Sequence, residues 1–285
     1  MSEDASMSAG VLHDEHVYLG ARFAPSPDRM TSVPAEYSGE ADIDHARDGA
    51  LLSDLSGCTH LLVSGRPAES LCETAFCAEK LAPGEAGFEP ALTGEGAVSS
   101  IPLVARTAES EYLVLDASER GPILGAWLGF LAGVSQDGYA PYEGVEVENA
   151  TGLLVPLLLV GSDARRVLGD YLSDASEIPA TRQVRRCSLD RIQSFVIGLP
   201  EVSGSLPGYV LLVPPQSAVV LWRSLLSFAV VDPVWHDAVA TLVREELPWG
   251  GLLDERGKAL ASRDELTAWH LIRESGDFIG RRSLS

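Results

Sequence analysis

Apolar and polar positions follow the same order twice along this chain. The run His60-Leu61-Leu62-Val63-Ser64-Gly65-Arg66-Pro67-Ala68-Glu69-Ser70-Leu71 is an apolar stretch, a Gly-x-x-Ala turn and the start of an amphipathic segment. Pro156-Leu157-Leu158-Leu159-Val160-Gly161-Ser162-Asp163-Ala164-Arg165-Arg166-Val167-Leu168 repeats that order. A short apolar run closed by a turn residue predicts a buried strand, and the three-and-four spacing after it predicts a helix. Tyr112-Leu113-Val114-Leu115 likewise returns as Tyr209-Val210-Leu211-Leu212, and the helix-like segments that follow carry Trp127-Leu128 and Trp222-Arg223-Ser224-Leu225. A unit of strand, turn, helix, hairpin and helix therefore occurs twice, over about residues 52–132 and 152–229. Two related units packed face to face leave a cleft on their pseudo-symmetry axis, which is the expected ligand site.

The predicted elements follow from the same pattern. In the first unit, residues 43–51 carry a short helical pattern, 53–64 a strand region, and 67–76 a helix with Pro67 at its start. Residues 101–107 and 111–116 are β-rich runs separated by Ala108-Glu109-Ser110, which suits a hairpin, and 121–131 is a helix. A glycine- and tyrosine-rich connection over 133–144 leads to the second unit. There the pattern gives a strand at 153–160, a helix at 164–171, a wide-loop hairpin at 193–198 and 208–213, and a helix at 217–228. Two more helices are expected at 235–246 and 266–273. Hairpins with segregated helices predict an α+β fold of duplicated units with antiparallel sheets. No G-x-G-x-x-G or G-x-x-x-x-G-K-[ST] stretch follows a strand, so a nucleotide-binding doubly wound fold is not indicated. Residues 1–32, including Ala24-Pro25-Ser26-Pro27, lack sustained periodicity and read as a flexible arm or wrapping tail ahead of a body spanning 33–285.

Composition narrows the function classes. With 285 residues, 46% of them hydrophobic, the chain can bury a large core. No apolar run reaches the roughly 18 residues of a membrane-spanning helix, and residues 1–10 lack the basic start and apolar stretch of a signal peptide, so a cytoplasmic location is expected, without membrane contact. Forty-one acids against 21 Lys and Arg give a formal charge of −20, which repels a phosphate backbone and makes nucleic acid a poor partner. Cys58, Cys72, Cys77 and Cys187 contain no C-x-x-C pair and no histidine at ligand spacing, so they read as buried or idle thiols with no zinc site. His13-Asp14-Glu15-His16 is a compact group of potential ligands, but alone it does not make a metal site. No Ser or Cys lies in a nucleophile elbow.

Several motifs carry a family resemblance. Val33-Pro34-Ala35-Glu36-Tyr37-Ser38, followed by Asp44-His45-Ala46-Arg47-Asp48-Gly49-Ala50-Leu51-Leu52-Ser53-Asp54-Leu55-Ser56, resembles the opening of the glycine cleavage T-proteins, the aminomethyltransferases. Further landmarks stand in the family order: the Gly65-x-x-Ala68 turn, Leu92-Thr93-Gly94-Glu95-Gly96, Pro207-Gly208-Tyr209, Arg244-Glu245-Glu246, and Gly276-Asp277-Phe278-Ile279-Gly280-Arg281. At the last of these, Asp277 stands where the related folate-binding proteins of iron–sulfur cluster maintenance carry a cysteine. The likeness covers about residues 33–283.

That resemblance implies a T-protein-like fold with a tetrahydrofolate-binding cleft, and one-carbon transfer from a small-molecule amine, sulfur or oxygen donor. A pterin presents adjacent N–H donors that a carboxylate grips bidentately. The family's R-x-E pattern assigns this to Glu246 with Arg244, whereas the spacing from Pro233 assigns it to Glu245. Tyr209 and Trp249 are candidates to flank the flat ring. The chain departs from the family at Ser100, which stands where a catalytic Asp is expected; a hydroxyl forms hydrogen bonds but is no carboxylate base. Val202-Ser203-Gly204-Ser205 likewise lacks the acids of the corresponding T-protein segment. T-proteins continue into a C-terminal β-barrel, whereas this sequence stops at Ser285, so the expectation is that the barrel is absent and that a partner protein stands in for it. The resulting reading is an aminomethyl- or methyltransferase with altered chemistry, or a catalytically inactive folate-binding or scaffold protein.

Overall fold

The structure is a computed structural model that describes residues 8–23, 31–38, 42–200, 206–252 and 259–284. Two large sheets form its centre. Their strands, in chain order, are β1 (Ala50–Asp54), β2 (Thr59–Ser64), β3 (Ala86–Phe88), β4 (Leu103–Ala108), β5 (Glu111–Asp116), β6 (Glu146–Asn149), β7 (Val155–Val160), β8 (Val184–Leu189), β9 (Ile192–Gly198), β10 (Gly208–Val213) and β11 (Val231–Val234). The helices are α1 (His13–Tyr18), α2 (Ala68–Ala75), α3 (Gly121–Ala132), α4 (Ala164–Gly169), α5 (Pro215–Leu225), α6 (His236–Glu246) and α7 (Arg263–Ala268).

The five-stranded sheet runs β6-β2-β5-β4-β3 and is antiparallel throughout. The six-stranded sheet runs β8-β9-β10-β7-β1-β11 and is antiparallel except where β11 pairs parallel with β1. Strand parity divides the side chains between layers. In β7 and β10, Leu157, Leu159, Tyr209 and Leu211 face an outer core that includes Leu168 of α4 and Trp222 of α5, while Leu158, Val210 and Leu212 face inward. The other sheet buries Val63 and Val114 against Leu71 of α2 and Leu124 and Leu128 of α3. Both sheets meet through Leu103, Leu113 and Leu115 on one side and Leu158, Val210 and Leu212 on the other. Because both faces of β7 and β10 are covered, these strands are apolar at nearly every position, as the sequence pattern requires. Full burial of a Leu or Val side chain contributes about 1.5–3 kcal/mol relative to exposure.

The element order that repeats in the sequence repeats in the chain path. A strand enters a helix at Gly65 (φ +110°) and again at Gly161 (φ +139°). Each turn rests on backbone just ahead of the other unit's leading strand: a Cβ at Gly65 would strike the Gly144 carbonyl oxygen, and one at Gly161 the Gly49 carbonyl oxygen. The leading strands are exchanged. β1 precedes β2 in sequence but pairs with β7, and β6 precedes β7 but pairs with β2.

Some expected boundaries move. The helical pattern at 43–51 resolves into a 3-10 turn, Ile43–Arg47, followed by β1, because Ala50, Leu51 and Leu52 are buried and strand pairing takes over from helical spacing. The helix expected at 266–273 lies at Arg263–Ala268, where Ser262 and Glu265 form a capping box that fixes its start. In the arm, residues 8–23 pack against the body: Leu12 and His16 are buried, and His16 bonds Asp54 of β1 through Nε2 (2.9 Å) and the Tyr37 hydroxyl through Nδ1 (2.9 Å). Residues 24–27 lie outside the described residues.

Candidate functional site

Helix α6 closes one end of the inner space. Ala238, Val239 and Leu242 form its buried stripe, and the three-to-four periodicity that joins Val239 and Leu242 continues to Glu246. Glu246 therefore turns inward, with its side chain 13% exposed and Arg47 Nη2 at 3.4 Å, while Glu245 sits on the exposed flank. Gly250 turns the chain back by donating its N–H to the Leu247 carbonyl (2.9 Å), which brings Trp249 against Phe88 with ring centres 4.9 Å apart and planes at 71°.

Two cavities meet at this wall. The outer one, of about 810 Å³, is lined by Arg244, Glu245, Glu246 and Trp249 together with Trp269 and His270. The inner one, of about 160 Å³, lies between the sheets and is lined mainly by apolar side chains such as Leu115, Leu158, Val210 and Val239, with Asp116 and His236 among its polar groups. Phe88, Leu247 and Trp249 line both.

The expected site residues thus divide. Arg244, Glu245, Glu246 and Trp249 come together around the outer cavity. Tyr209 does not join them, because the parity of β10 sends it to the opposite face of the sheet, into the outer core, where its hydroxyl accepts from Arg165 Nη1 (3.3 Å). Ser100 is fully buried in the short strand Val98–Ser100, outside the cavity lining, and its hydroxyl donates to Asp116 Oδ2. Asp116 Oδ1 accepts from the Ser118 amide (2.9 Å) and the Ser118 hydroxyl (2.7 Å). Burial raises the Asp116 carboxyl above the usual carboxylate range, against the opposing pull of the Ser100 and Ser118 hydrogen bonds and of Arg120. Asp116, Arg47, Phe88 and His236 escaped the sequence reading. Asp116 carries a weak signal, an acid closing the apolar run 112–115, while Arg47 and Phe88 reach the site only through tertiary contacts.

The remaining motifs are structural. Phe278 is buried, Arg281 lies over its ring (5.5 Å), and Ser283 Oγ donates to the Gly94 carbonyl (2.8 Å), so the 276–281 and 92–96 motifs pack on each other. The His13-to-His16 group is spread apart: His13 stacks on Phe23, Glu15 pairs with Arg223 (2.6 Å) and His16 bonds Asp54. Among the described residues no three His, Cys, Asp or Glu side chains gather as a metal-binding group, and no helix is long and apolar enough to cross a membrane. The four cysteines are buried and form no disulfide with one another, and burial pushes the Cys77 thiol up to about 12. Residues 202–205 lie outside the described residues.

The paired sheets and the cleft between them define a class of two-sheet α+β bodies with a repeated element order. The chain belongs to the GCVT N-terminal domain family, whose model matches residues 12–242. It is similar to an aminomethyltransferase of Chlorobaculum parvum, with 26% identity over 88% of this chain and 68% of that protein. In fold it is similar to the glycine cleavage system aminomethyltransferase T of Bartonella henselae, with a TM-score of 0.67 and 21% identity over 83% of this chain. The chain spans 62% of the length of that structure.

Proposed function

We propose that this chain binds tetrahydrofolate in the outer cavity and takes part in one-carbon transfer of the aminomethyltransferase type. The observation that carries this reading is the meeting of Arg244, Glu245, Glu246 and Trp249 on one cavity of about 810 Å³, within the range of small-molecule and cofactor sites. These residues fit the group: a carboxylate on the inward stripe of α6 matches the adjacent N–H donors of a pterin, and Trp249 with Phe88 supplies an aromatic wall. Tetrahydrofolate would carry the one-carbon unit, and this chain's part is to bind and orient it. Glu246 is the better of the two acids, since its side chain lies on the inward stripe of α6 and is 13% exposed, with Arg47 Nη2 at 3.4 Å. Family membership and the printed activity of the Chlorobaculum parvum relative support the same reading.

A second reading, a folate-binding protein without turnover, is favoured by Ser100, a hydroxyl where the T-proteins carry an acid. Both readings require binding. Calorimetry with tetrahydrofolate is expected to show a Kd for Glu246→Gln about 10- to 150-fold weaker than wild type, the loss of a charge-assisted pair worth about 1.5–3 kcal/mol, with a smaller change for Glu245→Gln. A wild type that binds no folate at millimolar concentration sinks both readings, and unchanged affinity in both variants removes the acids from the site. Transfer from an aminomethyl donor to bound folate, measured in the wild type, separates the two.

A further inference from the structure

A third cavity, of about 160 Å³, has no lining residue in common with the two described above. It sits where the connections of the exchanged strands pass: Ser56 follows β1, and Thr151, Leu154, Val155 and Pro156 lead into and begin β7. Residues 9–11 of the arm form a further wall. His60, 2% exposed near the start of β2, also lines this space, and neither of its ring nitrogens has a hydrogen-bond partner among the described residues. Its polar neighbours are committed elsewhere. The amide and hydroxyl of Ser56 both donate to Asp54 Oδ1 (2.8 and 2.5 Å), and the Thr151 amide donates to Asn149 Oδ1 (2.8 Å). Burial pulls the ring down to about 4, so near neutral pH it carries one N–H donor and one bare acceptor nitrogen. A buried polar group without a partner is costly, and here two on one ring stand beside a space that a small molecule can fill.

Among the described residues, no charged side chain lines this cavity. A full charge would therefore enter without a counter-charge, whereas a neutral hydroxyl recovers on the ring the hydrogen bond it gives up on leaving water. Val11, Leu154, Val155 and Pro156 supply apolar wall, and an engineered protein cavity of roughly 150 Å³ accepts benzene, so a single ring fits. We propose that this cavity is a binding site for a small neutral molecule with a compact apolar body and one hydroxyl group, which donates its hydrogen to the bare nitrogen of His60. The imidazole is then the recognition element, and the arm belongs to the site because residues 9–11 wall it. The proposal stands apart from the folate reading, since it uses none of that site's residues and no one-carbon chemistry.

Phenol and toluene, matched in shape, test the assignment on the full chain. A cavity with no acceptor prefers toluene, because phenol loses its hydrogen bonds to water. The wild type is expected to bind phenol about fivefold more tightly than toluene, the scale of one net hydrogen bond. His60→Phe keeps a flat ring without the acceptor and is expected to reverse that order. If the variant fails to fold, the wild type alone decides. In nitrogen NMR the bare ring nitrogen of His60 is expected to shift with phenol and to stay in place with toluene. Absence of phenol binding, which would leave the cavity to water, overturns the proposal, as does a toluene preference in the wild type, a phenol preference that persists in His60→Phe, or an unmoved His60 nitrogen. Tetrahydrofolate titrated into the same samples keeps the two ideas apart. Competition between folate and phenol places phenol in the folate cavity and removes this proposal, whereas a chain that takes up phenol at His60 but binds no folate removes the folate reading alone.

Discussion

At the scale of single residues, phase decides what spacing leaves open. The R-x-E pattern and the distance from Pro233 point to different acids, and only the helical stripe through Val239 and Leu242 separates Glu246 from Glu245. Tyr209 illustrates the opposite case. An aromatic residue in a motif invites a binding role, yet a shift of one position along a strand moves a side chain to the other face, and Val210 rather than Tyr209 lines the inner cavity. Ser100 was legible as a departure from the family, but its partner was not, since 16 residues separate it from Asp116. Their contact carries a prediction. Ser100→Asp would set a second carboxylate against a buried one, so the pair can ionise fully only at high cost. We expect the variant to be destabilised by about 2–4 kcal/mol at pH 8 and by less at pH 5, where the two share a proton. Urea denaturation at both pH values checks it, and wild-type stability at pH 8 would mean that the two positions do not face each other.

At the scale of elements, apolar periodicity located most strands and helices because it records burial on each face. It did not reveal which strands pair. β1 and β6 each join the sheet opposite to the one their sequence neighbours build, and no local pattern encodes that exchange. β11 was missed because it contains Pro233, which reads as a breaker; the strand tolerates it at the sheet edge, pairing only with β1. The exchange accounts for both strand-to-helix glycines, which lie against backbone leading into the swapped strands. At Gly161, positive φ combines with the Gly49 carbonyl to exclude a side chain, so Gly161→Ala must strain the turn or displace the lead-in to β1. A loss of about 1–3 kcal/mol is expected. A chain of this size then melts roughly 2–4 °C lower per kcal/mol. Differential scanning calorimetry on the variant measures this, and an unchanged Tm would show that the turn has room.

At the scale of the whole molecule, the repeated pattern made a cleft foreseeable, while its division into two chambers depends on where Phe88 and Trp249 meet, a contact between residues far apart in sequence. The same packing buries ionisable groups whose opposed shifts shape stability. Glu89 is 4% exposed, and burial pushes its carboxyl up to about 8 against the fields of Arg182 and Arg273. His60 is 2% exposed, and burial pushes its ring down to about 4. An unfolded Glu titrates near 4.3 and an unfolded His near 6.5. Between about pH 4.5 and 8 the folded chain therefore holds a proton at Glu89 that the unfolded chain releases, so this group's contribution is greatest below that range and declines as pH rises. Between about pH 4 and 6.5 the unfolded chain holds a proton at His60 that the folded chain lacks, so this contribution rises with pH. The two oppose each other up to about pH 6.5, and above it the Glu89 decline stands alone. Glu89→Gln keeps the shape and removes the titration. The variant is expected to gain on the wild type by up to a few kcal/mol as pH goes from 5 to 8, each unit of pKa shift being worth about 1.36 kcal/mol. Urea midpoints of both proteins across that range make the measurement; a gap that stays constant with pH would mean that Glu89 is ionised throughout, with the two arginines neutralising it inside the core.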